Sequence, residues 1–320
     1  MSTNLIKLGI IVVYWVDDDN EKLLDIHLNQ LKENTSSSFT IYACINLLKP
    51  RFLDKLNEYN FIRPIICREY VGLNDIKRGA KEHSYYLSQL INIAINDGVS
   101  HIAIFHPDSF PVRKNWNYKY LNLLTDNIEL ISIFPHMTGF MLFSVAVYKK
   151  YNPNLLPSNE EQISRNWRKF EKYNKTKNLI ESGMGFAYNI FSNGKKWLKL
   201  SDIFDTNSIQ LYGEYFDNSI FHLGSASDYK NRARKNITIN KKNKSIIKGI
   251  VGISPNFIKK VLKNNFTERI LFREISDNNT RFLNTRSFLF DETKAFINLL
   301  KTGKFDRELK DVTKAKKIRS

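Results

Sequence analysis

The residues of this chain best suited to hold a metal ion lie in one stretch, HIAIFHPDSFP, His101 to Pro111. Ile102, Ala103, Ile104 and Phe105 form a short apolar run, the pattern of a buried strand. Pro107 and Pro111 cannot donate to a sheet ladder, so that strand has to stop at His106. An imidazole and a carboxylate, His106 and Asp108, then stand just past a strand end. Hard divalent cations such as Mg²⁺ or Mn²⁺ prefer carboxylate oxygens, and Mn²⁺ also accepts imidazole. A cation there could bridge two phosphates and offset the charge on a departing diphosphate. The plainer alternative is a turn made by Asp108 and Ser109, with His106 a satisfied polar group. Ligands at i and i+2 of a strand share a face, but a loop sets its own geometry.

Other residues carry chemistry less directly. His222 ends a short apolar strand and precedes Gly224-Ser225-Ala226-Ser227, a small-residue loop that lets backbone approach phosphate. Glu181, in Glu181-Ser182-Gly183, could act as general base on a hydroxyl, or be a helix-terminus acid favoured by the dipole. Arg78, Lys81 and His83 bracket Gly79 before a helix. They could hold diphosphate through cations and helix amides, or form a solvated basic helix start. Tyr14 and Trp15 finish the first strand and could stack on a base, although core packing suits at least one of them.

The elements that must position these groups alternate. Leu8–Val16 reads as a strand, a helix begins near Glu21, and Phe39–Asn46 is a second strand. Pro50–Tyr59 is a short helix, Pro64–Tyr70 a third strand, and Glu82–Asn96 a longer helix before the central strand. That order predicts an α/β fold, a mostly parallel sheet with helices on both faces. Further on, a short helix is expected at Tyr118–Leu124, and strands at Glu129–Phe134 and Gly139–Tyr148. A polar surface excursion spans Asn152–Lys177, and a helix Gly183–Ser192. Short strands are expected at Leu198–Leu200, Ser208–Leu211 and Ser219–His222. Past about residue 235 the composition turns Lys-rich, with helical patterns at Asn256–Lys263 and Asp291–Leu300. The expected domains are therefore 1–235 and a basic extension, 236–320.

The composition, 42% hydrophobic and 13% aromatic, is ample for a packed core. The net charge of +17 suits an anionic partner: a membrane surface, a nucleic acid or a phosphorylated substrate. It could equally reflect base composition, with Lys filling solvated faces. Cys44 and Cys67 lie in apolar runs and are expected as buried free thiols, consistent with a reducing compartment. Leu8–Val16 lacks the basic leader and cleavage site of a signal peptide. No run reaches the roughly 18 apolar residues of a membrane span, so any membrane attachment is expected to be peripheral.

Taken in order, these motifs resemble the GT-A-fold glycosyltransferases, and are similar to the family-two-like bacterial enzymes that build surface polysaccharides. The Asp-x-Asp motif of that group, often followed by Phe-Pro and a Trp, is matched by HPDSFPVRKNW, His106 to Trp116. Asp108 falls on the second Asp, and His106 replaces the first. Glu82-His83, ESG at Glu181 to Gly183, GKKW at Gly194 to Trp197 and YGEYFDNSIFHLGSAS at Tyr212 to Ser227 extend the match over roughly residues 5 to 230. The resemblance implies a nucleotide-sugar donor, a glycan or lipid-linked acceptor, and Mn²⁺ or Mg²⁺ on Asp108 and His222. It implies donor contacts from Tyr14, Asn46, Arg78, His83 and His106, and Glu181 as base of an inverting, hexosyltransferase-like reaction. A cytoplasmic enzyme, peripheral at the inner face of a membrane, would fit the basic surface. Two other readings are a non-catalytic scaffold that kept the fold, and a basic nucleic-acid-binding protein. The second is disfavoured, because no recognised RNA or DNA motif is present.

Overall fold

The computed structural model describes residues 6–72, 78–176, 180–202, 212–224 and 281–302. The first half alternates as the apolar periodicity dictates. The order is β1 (Leu8–Val13), α1 (Glu21–Asn34), β2 (Phe39–Cys44), α2 (Pro50–Asn57), β3 (Ile62–Ile65), α3 (Arg78–Asn96) and β4 (His101–Phe105). Next come β5 (Ser109–Pro111), α4 (Trp116–Leu121), β6 (Ile128–Ser132), β7 (Phe140–Ser144) and α5 (Val145–Tyr151). They are followed by α6 (Asn159–Ile163), α7 (Arg165–Asn174), α8 (Met184–Ser192), β8 (Lys196–Lys199), β9 (Glu214–Phe216) and β10 (Ile220–His222).

Seven strands form one sheet in the order β3-β2-β1-β4-β7-β6-β8. All pairs are parallel except those of β7, which runs antiparallel between β4 and β6. Every residue of β1 is buried, because the strand lies in the middle of the sheet with a packed layer on each face. Ile11 and Val13 face a cluster with Leu87, Leu90 and Ile91 of α3 and Phe186 and Ile190 of α8. Leu8, Ile10 and Val12 face the other way, onto Leu24, Leu28 and Leu31 of α1 and Trp116 and Tyr120 of α4. This is the mostly parallel α/β architecture that the alternation predicts. A second sheet, β5-β10-β9, has three short strands.

Four local expectations need correction. The third strand is Ile62–Ile65 and not Pro64–Tyr70, since its ladder with Ile41–Cys44 begins at Ile62. Helix α3 begins at Arg78, a turn earlier than its apolar periodicity shows. The run Gly139–Tyr148 is half strand, half helix. Ser144 caps α5 by accepting from the Val147 amide, and that hydrogen bond ends β7. The polar segment Asn152–Lys177 is not a plain surface excursion. It holds α6, opened by a capping box from Ser158 and Glu161, and α7, which buries Trp167 and Phe170. The expected strand at Ser208–Leu211 and helix at Asn256–Lys263 lie outside the described residues, as does the expected boundary near 235.

The chain divides into two compact units, residues 1–204 with 215–222, and residues 205–214 with 223–320. In the second unit, α9 (281–291) and α10 (Thr293–Thr302) bury Phe282, Leu289, Phe296 and Leu300. The Tyr212 amide donates to Thr285 Oγ1 at 2.7 Å, and the Tyr212 ring meets Phe282 edge-on. No described helix is long and apolar enough to cross a membrane.

Candidate metal centre

The site is assembled where β4 leaves the large sheet. The chain turns through His106-Pro107-Asp108, with the Ser109 amide donating to the His106 carbonyl at 3.0 Å, and enters β5. Pro107 ends the first ladder, as its missing amide requires, yet Pro111 sits comfortably at the end of a second one. β5 pairs antiparallel with β10 in a register that sets His222 opposite Ser109. Two segments more than a hundred residues apart in sequence thus bring His222 next to Asp108.

The resulting cluster is His106, Asp108 and His222, with one ligand atom from each within 4.8 Å of the others. His222 Nε2 lies 3.6 Å from Asp108 Oδ1, and His106 Nδ1 lies 3.9 Å from the same oxygen. A first-row cation with bonds of about 2.1 Å spans donors about 3 Å apart, so a small inward movement closes this set on an ion. Asp108 and His222 are only 7% and 2% exposed. A buried carboxylate facing two imidazoles is a chemically suitable donor set for a divalent cation.

The surroundings keep the donors oriented. His106 Nε2 is 2.8 Å from Thr138 Oγ1, which leaves Nδ1 on the Asp108 side. Burial, then the neighbouring His83, holds the His106 pKa well below the usual imidazole value, against the opposing pull of Asp108. His106 is therefore neutral at pH 7 and offers a lone pair. The His222 ring packs against the backbone of Gly139, where an added Cβ would stand 3.4 Å from ring atoms Cδ2 and Nε2. The ring of His136 lies 5.4 Å from that of His222, and the ring of His83 lies 5.0 Å from that of His106. Under the cluster, His27 on α1 meets the Ser109 carbonyl at 2.8 Å and fixes the first residue of β5.

The other expected site residues are placed as follows. His83 is half-buried, and burial lowers its pKa to about 4. Its Nδ1 is 3.4 Å from Ser182 Oγ, which also donates to the Ala80 carbonyl and accepts from Ser84 Oγ. These bonds fix the Glu181-Ser182-Gly183 turn on the first turns of α3, so Glu181 adjoins a residue that touches His83. Asn46 uses its amide within the fold: it donates to the Cys67 carbonyl and accepts from the Cys67 amide, both at 2.8 Å. Tyr14 is fully buried and meets His27 edge-on, whereas Trp15 is 61% exposed. The Arg78 side chain lies outside the described residues. Cys44 and Cys67 are buried free thiols.

The sequence reading missed Thr138, His136 and Gly139. All three belong to the β6–β7 connection, FPHMTG, Phe134 to Gly139. An antiparallel β7 returning from the carboxyl end of β6 places that connection at the same sheet edge as His106. A histidine between two apolar strand runs was the available signal.

No family model matches the chain, and no curated protein matches it. Among solved structures, it is similar to the apo form of mouse xyloside xylosyltransferase 1, with 8% identity and a TM-score of 0.38. That match covers 61% of this chain and 86% of the mouse chain. It is also similar to the glycosyltransferase GlyE of Streptococcus pneumoniae, with 11% identity and a TM-score of 0.33, over 62% of this chain and 46% of that one. Neither similarity assigns this chain to a family.

Proposed function

We propose that this protein is a glycosyltransferase that moves a sugar from a nucleotide-sugar donor to a glycan or lipid-linked acceptor. The observation that carries the reading is the buried Asp108 between His106 and His222, at the carboxyl edge of a mostly parallel sheet. In open α/β sheets, that edge is where ligands bind. A divalent cation bound there would supply positive charge to a diphosphate as it departs. Asp108 and His222 would hold it, with His106 as third ligand. Arg78 and His83 would contact the donor, and the exposed ring of Trp15 suits stacking on a base better than buried Tyr14. Glu181 would take the proton of the acceptor hydroxyl as its oxygen bonds to the sugar carbon and the bond to diphosphate breaks. The inverting course rests on the sequence resemblance.

Calorimetry tests the reading. UDP, GDP and CDP are titrated with and without Mn²⁺ into the native protein and into Asp108→Ala. One nucleotide should bind only with the cation, and that binding should vanish in Asp108→Ala. Binding indifferent to both metal and substitution would overturn the metal-assisted reading. No binding at all would leave the non-catalytic scaffold in its place.

A further inference from the structure

The donor set says which kind of cation this site selects. The inference rests on the metal-assisted reading above and narrows it. A pair of carboxylates suits Mg²⁺ or Ca²⁺, which take oxygen ligands almost exclusively. Here two of the three donors are imidazole nitrogens, and the one carboxylate is buried together with His222. Two histidines and one carboxylate, with positions left open, form a set used by first-row transition ions. Mg²⁺ dehydrates reluctantly and gains little from nitrogen ligands.

We infer that the site takes a first-row transition ion in preference to Mg²⁺ or Ca²⁺, with His106 binding through Nδ1 and Thr138 as its positioning residue. The warrant for Thr138 is geometric. Its Oγ1 lies 2.8 Å from His106 Nε2 and is itself 3% exposed, so the contact is shielded from water. An Nε2–H donated to that oxygen leaves the lone pair on Nδ1, the nitrogen 3.9 Å from Asp108. A second partner on the far nitrogen of a ligating histidine fixes both tautomer and ring orientation. His136 and His83 crowd the rings of His222 and His106, and add nitrogen character to the surroundings without joining the close set.

The test uses metal alone with the full chain, so that nucleotide binding is not needed to read it. Co²⁺, Mn²⁺, Mg²⁺ and Ca²⁺ are titrated by calorimetry, and Co²⁺ also by its visible absorption. Co²⁺ should bind at least about tenfold more tightly than Mg²⁺, with affinity depending on both imidazoles. In His106→Asp the preference should narrow, as Mg²⁺ gains and Co²⁺ loses. Thr138→Val should weaken Co²⁺ binding by about 10- to 100-fold, and Thr138→Ser should restore it. Equal Co²⁺ and Mg²⁺ affinity in the native protein, or an unchanged preference in His106→Asp, would overturn the selectivity and leave the proposed transfer reaction standing. An unaltered Co²⁺ titration in Thr138→Val would remove Thr138 from the site. No ion binding to a native protein that still binds nucleotide would overturn both this inference and the metal-assisted reading.

Discussion

His27 is a buried imidazole with little room for a second proton. It is fully buried on α1, its Nδ1 meets the Ser109 carbonyl, and its Nε2 is without a hydrogen-bond partner. Burial lowers its pKa to about 4, against the opposing pull of the Ser109 carbonyl and Asp108. Above about pH 6.5 the ring is neutral in folded and unfolded chains alike, and contributes no pH dependence. Between 6.5 and 4 the unfolded chain takes up a proton that the native chain does not, so stability falls with pH. The shift corresponds to about 2 kcal/mol lost by pH 5. His27→Gln keeps a donor for Ser109 and removes the titration. Urea unfolding of both proteins at pH 7.5 and pH 5 should therefore show the native protein losing about 2 kcal/mol more than the variant. Parallel losses would show that other groups set the acid sensitivity. Helical spacing with Leu24, Leu28 and Leu31 puts His27 on the buried face of α1 from sequence alone. Its contact with β5 was not legible, because β5 is three residues long and itself ends in a proline.

At the scale of elements, α8 depends on a close approach of backbones. In α8, a Cβ on Gly185 would run into the Asn154 carbonyl oxygen and stand 2.8 Å from the Leu156 carbonyl carbon. Backbone cannot yield there as a side-chain tip can. Gly185→Ala should cost about 2 kcal/mol or more in thermal or urea unfolding. Gly139 is a different case. Its added Cβ would meet Ile133 Cδ1 at 2.8 Å, the movable end of a flexible side chain, and the His222 ring at 3.4 Å. Gly139→Ala should lose less stability than Gly185→Ala and leave Co²⁺ binding unchanged, since 3.4 Å is ordinary van der Waals contact with the His222 ring. Weakened Co²⁺ affinity in a folded Gly139→Ala protein would mean that the ring needs a glycine beneath it. The alternating first half was legible because β1 and β4 carry continuous apolar runs and α1 keeps its apolar spacing, whereas β3, IRPI, is no such run and its bounds were misplaced. Helix α7 was not, because its sequence, RNWRKFEKYN, shows only Trp167 and Phe170 as strong apolar anchors among charged residues. Asp108 could be found from sequence because a proline marks the strand end, whereas His222 was paired with it there by the resemblance alone, and the β5–β10 register is what brings the two together.

The charge of the whole molecule is unevenly spread along the chain. Residues 1–222 hold 25 Lys and Arg against 23 Asp and Glu, whereas residues 223–320 hold 24 against 9. Nearly all of the net +17 therefore belongs to the last 98 residues. Base composition alone would raise Lys throughout, so the concentration favours a role for charge in that part of the chain. An acceptor carried on an anionic membrane would be met by such a segment, since each Lys or Arg near the surface contributes about 1 kcal/mol of attraction. The full chain should bind vesicles containing anionic lipid at low salt and detach as salt is raised, because the Debye length shrinks to about 8 Å at physiological ionic strength. Replacing Lys241, Lys242 and Lys244 together by Gln should weaken that binding by about 100-fold if all three lie at the surface. Co-sedimentation with anionic and with neutral vesicles, over a salt series, measures both effects. Equal binding to neutral vesicles would show that charge is not what holds the protein there. Binding to random oligonucleotides with a steep salt dependence, and none to vesicles, would assign the basic segment to nucleic acid instead.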